Sequence, residues 1–138
     1  MNPTPCDCSP AFVDGRIEAA LGTRWVALGK DLRGFDCWGF VRYALGLLDA
    51  PEAPFFDRES RPGQIQELAK SFRQVPAKTA YSIILLGTQG RFAHVGVYHP
   101  AGTVYHCIEH GGVCGHRFDR LGLLGFDSFE FYKWGLHD

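Results

Sequence analysis

A helix whose apolar residues run nearly all the way round has to be buried, and residues 37–48 encode one. Phe40, Val41, Tyr43, Ala44, Leu45, Leu47 and Leu48 crowd into this stretch, and Asp36 just ahead is a good N-cap residue. The spacing predicts a helix from Cys37 to about Leu48. A chain of 138 residues supports one core, so the remainder must wrap this helix. After Pro76 the pattern changes to short β-branched and aromatic runs broken by Gly or Pro, at 82–86, 94–98, 103–108, 113–118 and 129–134. Helices first and strands afterwards give an α+β fold, with the buried helix packed on an antiparallel sheet of about five strands.

The other segments are simpler. Residues 1–10 are rich in Pro and Cys and read as an irregular arm, leaving 11–138 as a single domain. A short helix is expected over 11–21, stopped by Gly22, and a strand-like centre at 25–28. Pro51, Pro54 and Pro62 make 49–63 a loop. Residues 64–74 read as an amphipathic helix with Ile65, Leu68, Ala69 and Phe72 inward. Phe126, Phe129, Phe131, Tyr132 and Trp134 make the C-terminal segment aromatic enough to predict an exposed patch and a protein contact.

Charge and cysteines narrow the function. Fourteen basic and fifteen acidic side chains leave a net charge of −1, which makes no case for nucleic acid or an anionic membrane surface. No apolar run approaches the ~20 residues that span a bilayer, and no signal-peptide pattern opens the chain. The five cysteines are clumped and odd in number, which fits a reducing cytosol better than a disulfide framework.

Cys37 falls where the helix begins. Unpaired N–H groups and the positive end of the dipole favour thiolate there, and the thiolate is the nucleophile. His94 and His106 lie on the two strands that follow, joined by His99-Pro100-Ala101-Gly102. Pairing positions that sum to about 201 leaves the two rings one residue out of step, and a single slip or bulge brings them onto one face. Cysteine catalysis further needs His94 within a hydrogen bond of Cys37. Zinc is the rival chemistry, because Cys6, Cys8, Cys107, His110, Cys114 and His116 are soft ligands, although no paired spacing marks a site. A structural protein that keeps the fold without turnover is the third reading.

Gly34-Phe35-Asp36-Cys37-Trp38-Gly39-Phe40-Val41 and His94-Val95-Gly96-Val97-Tyr98 resemble the nucleophile segment and base-bearing strand of the NlpC-type cell-wall peptidases. The resemblance spans the chain from residue 11 onward and implies a papain-like core. It implies Cys37 as nucleophile, His94 as general base and acid, and His106 as the group that orients His94. It places Trp25, Asp36 and Trp38 at the substrate or oxyanion side, and it implies no metal or other cofactor. The implied substrate is the peptidoglycan stem peptide. Trp38 stands where the family commonly has Ser, Trp25 near a common Tyr, and Ala80-Tyr81-Ser82 in place of Pro-Gly-Asp. Residues 106–113 and the aromatic ending look like the short phage-tail members of the superfamily. That branch implies tail-tip partner proteins, synthesis in the host cytoplasm and carriage in the virion tail.

Overall fold

The computed structural model describes residues 9–47, 50 and 70–135. The expected arm (but for residues 9 and 10), most of the Pro-rich loop and the first part of the 64–74 helix lie outside these residues, as do Cys6 and Cys8.

Helix α1 spans Pro10–Ala20, with Ser9 as N-cap accepting from the Phe12 N–H and Pro at its start. A two-stranded ribbon follows, β1 at Lys30–Asp31 and β2 at Gly34–Phe35. Helix α2, Cys37–Leu45, comes next. It is shorter than the apolar run suggests because Gly46 adopts the left-handed conformation at φ 65°. The Leu47 N–H then returns to the Arg42 carbonyl at 2.9 Å, and the helix closes. Seven of its nine residues are buried.

The remaining strands are β3 (Phe72–Gln74), β4 (Ser82–Thr88), β5 (Arg91–His99), β6 (Thr103–Ile108), β7 (Gly112–Arg117) and β8 (Ser128–Trp134). They form one antiparallel sheet in the order β3-β8-β4-β5-β6-β7. The α+β class holds, with six strands rather than five. The extra strand is β3, where a helix was expected. Phe72 pairs with Trp134, and its ring meets Trp38 and Trp134, so contact with the aromatic last strand overrides the local helical pattern. The strand-like centre at 25–28 is also corrected. Trp25 makes a single bridge to Phe35, and Leu28 turns the chain at φ 63°.

Both faces of the sheet are covered. On one, Ile83, Leu85, Phe92, Val95, Val97, Cys107 and Val113 pack against α1 and α2. On the other, Ile84, Leu86, Tyr98, Val104 and Phe131 pack beneath a 3₁₀ turn at Phe118–Leu124, which inserts Leu121. This explains why β4 reads Ser-Ile-Ile-Leu-Leu without alternation. The C-terminal aromatics divide between the faces, Tyr132 and Trp134 to the helical side and Phe126, Phe129 and Phe131 to the other. Phe131 is buried and the other four are half-buried, so none stands fully exposed as the expected patch requires. The large apolar side chains exposed among the described residues are Leu21, Val26, Leu28, Leu32, Leu123 and Leu124.

Gly39 ties the ribbon to the helix. A Cβ there would run into the Gly29 carbonyl oxygen, which also accepts the Asp36 N–H at 3.1 Å. Gly39→Ala is expected to cost about 1–3 kcal/mol by overpacking this backbone contact. Urea unfolding checks it. Gly15→Ala, in open space on α1, is the control and is expected to leave stability equal or higher.

Candidate active site

Cys37 is the first residue of α2. Asp36 caps the helix, its carboxylate accepting the Gly39 N–H at 2.6 Å. The sequence argument expected a thiolate here, and the structure reverses it. Cys37 is 1% exposed, and burial raises its thiol well above the usual range. The Asp36 charge beside it pushes in the same direction, while the Val95 and Trp38 N–H groups that face the sulfur only partly offset this. Asp36 is thus a helix cap whose charge opposes ionisation of its neighbour. Trp38 is 1% exposed, its ring against Phe72 and Trp134, so it packs the core and does not line a substrate groove. Trp25 is half-buried against the same core.

The histidines meet each other. Strand β5 pairs with β6 on positions that sum to 202, as in Val97 with Tyr105, one step from the hairpin register expected. That step puts His94 and His106 on one face. His94 Nε2 lies 2.8 Å from His106 Nδ1, and His106 Nε2 lies 2.9 Å from His116 Nδ1. The His94 ring also stacks on Phe126, with 5.6 Å between centroids. His106 is fully buried, and burial together with the two neighbouring rings lowers it to about 2. Burial lowers His94 to about 4. Both rings are neutral at physiological pH. His116 was weighed only as a zinc ligand; its place in the chain follows from the β6–β7 register, in which it pairs with Val104.

The Cys37 sulfur lies against β5, at the backbone N–H of Val95, the residue that follows His94. Val95 and Val97 face α2, so by strand alternation His94, Gly96 and Tyr98 face the other way. On β6, Cys107 faces the α2 side, its thiol donating to the Phe35 carbonyl at 3.2 Å, while Val104 and His106 face away. Cys37 belongs to the core beneath α2, and from His94 the histidine chain runs along the other face of the sheet. The β5–β6 ladder runs from Val97–Tyr105 to His99–Thr103, so His94 and His106 lie past its end.

No protein-family model and no curated protein matches the sequence. Solved structures do. The NlpC/p60 domain of the peptidoglycan hydrolase SagA is 25% identical, over 89% of this chain and 97% of that domain, with a TM-score of 0.58. An NlpC/P60 family protein from Bacillus cereus is 16% identical at a TM-score of 0.67. It matches 99% of this chain, which spans only 42% of its length. The peptidoglycan hydrolase RipB from Mycobacterium tuberculosis is 20% identical over 99% of this chain and 74% of its own, with a TM-score of 0.60. The chain has the fold of the NlpC-type superfamily.

Two outcomes follow from the site. A histidine neutral when folded loses stability as pH falls below its unfolded value of about 6.5, where the unfolded chain gains the proton first. The melting temperature is expected to fall between pH 6.5 and about 4, and less steeply in His94→Gln. A maleimide reagent is expected to label half-buried Cys114 well before Cys37 and Cys107, read by mass spectrometry of the digested protein.

Proposed function

We propose that this chain is a cysteine endopeptidase that hydrolyses amide bonds of the peptidoglycan stem peptide. The observation that supports it is Cys37 at the capped start of a buried helix, in a fold shared with the peptidoglycan hydrolases SagA and RipB. His94 takes the thiol proton as Cys37 attacks the carbonyl and gives it to the amine as that leaves, forming the thioester; it then activates the water that releases the acid and restores the thiol.

His106 Nδ1, 2.8 Å from His94 Nε2, orients that ring and leaves His94 Nδ1 for the proton transfers.

We place the protein at a phage tail tip, in tail assembly or wall penetration, on the likeness of residues 106–113 and the C-terminal strand to short tail-associated relatives. A second reading is favoured by the burial of Cys37 and the raised pKa of its thiol. In it the protein is a tail-tip component that keeps the fold without turnover. Digestion of purified peptidoglycan with mass-spectrometric readout decides between them. The peptidase reading expects new stem-peptide ends with wild type and at least about 10³-fold fewer with Cys37→Ala or His94→Ala. Equal products from wild type and Cys37→Ala contradict a cysteine mechanism, and no products from any protein leaves the structural reading.

A further inference from the structure

The face opposite Cys37 carries a second constellation. In the β6–β7 ladder His106 stands directly across from Cys114, and His116 is two residues further along β7. Alternation puts all three side chains on one face, with His106 and His116 as diagonal neighbours. Their ligand atoms lie within 4.8 Å of one another. His106 Nε2 is 2.9 Å from His116 Nδ1, and Cys114 Sγ is 3.9 Å from that same nitrogen. Tetrahedral zinc, with Zn–N about 2.0–2.1 Å and Zn–S about 2.3 Å, sets its nitrogens about 3.3 Å apart and nitrogen to sulfur about 3.6 Å. The His106–His116 and Cys114–His116 separations are within about 0.4 Å of that arrangement, and the Cys114–His106 pair, within 4.8 Å, closes by rotation of the half-buried Cys114 side chain.

Two features set this cluster apart from a chance grouping. His106 is fully buried, and its other ring nitrogen is held by His94 at 2.8 Å. Metal-ligating imidazoles are held in this way, through the nitrogen that does not bind the ion. Cys114 and His116 are half-buried, so an ion can enter from solvent. The rest of the larger ligand set weighed from the sequence does not join them. Cys107 faces α2, and His110 is exposed in the turn between β6 and β7.

We propose that His106 Nε2, His116 Nδ1 and Cys114 Sγ form a site for a divalent zinc-like ion, with a fourth position open to water. One thiolate and two imidazoles suit zinc or cobalt and disfavour magnesium and calcium. On binding, the Cys114 thiol releases its proton to solvent. His106 binds as the neutral tautomer with its proton on Nδ1, donated to His94 Nε2. The site shares His106 with the peptidase constellation, and its test reads metal binding rather than activity.

Cobalt(II) titration of the reduced, metal-free protein tests it without any activity assay. The expected result is one equivalent bound, with tetrahedral d–d bands and a near-ultraviolet thiolate-to-cobalt band, all lost on adding zinc. Cys114→Ser is expected to abolish the thiolate band, and His116→Gln to weaken zinc binding by about tenfold or more. The Cys6→Ser/Cys8→Ser double variant is expected to keep the band. Thermal melts without metal verify folding, and should Cys114→Ser fail to fold, the His116→Gln affinity decides. No stoichiometric binding, a thiolate band that survives Cys114→Ser, unchanged affinity in His116→Gln, or loss of the band with Cys6 and Cys8 overturns the proposal.

Discussion

The alternation of β5 between two buried faces governs the rest of this structure. Val95 and Val97 enter the core beneath α2, and Tyr98 enters the core beneath the 3₁₀ turn. A slip of one residue would send both valines to the wrong side and bring a tyrosine under the helix, so the register is strongly specified. His94 is carried along by that choice. The chemistry of each face is therefore fixed by packing before any catalytic requirement acts.

The consequence for Cys37 is a contest that burial wins. A helix N-terminus stabilises a thiolate by a modest amount, and only over its first turn. Here the thiol is sealed beneath the sheet with a buried carboxylate next to it. Asp36 is needed as the cap that starts α2, so the residue that begins this helix also adds its charge to the burial that keeps Cys37 protonated. The histidines meet the mirror of this condition. Packed against one another and Phe126, they stay uncharged, the form in which imidazole accepts protons or ligates metals.

Much of this was legible in the sequence because it rests on local pattern. The all-round apolar run announced α2, and the β-branched runs announced five of the six strands of the main sheet. What escaped was set by contacts far along the chain. Phe72 became a strand residue because Trp134 was there to pair with it. The C-terminal aromatics were absorbed by two cores where one had been foreseen. The His94–His106 contact was within reach of the hairpin spacing, but which face the pair would occupy was not. A period-2 pattern such as His-Val-Gly-Val-Tyr is apolar on both phases, and only the helix that covers the sheet decides which phase lies beneath it.

The central claim is that His94, His106 and His116 form a hydrogen-bonded chain while Cys37 is held as a thiol. Nitrogen-15 NMR of histidine-labelled protein at neutral pH, in chelator, measures this directly. Couplings through N–H···N hydrogen bonds should link His94 to His106 and His106 to His116, the His94 and His106 rings should be neutral, and the Cys37 β-carbon shift should be that of a thiol. A charged His94 ring coupled to neither neighbour, beside a Cys37 thiolate, would contradict the account.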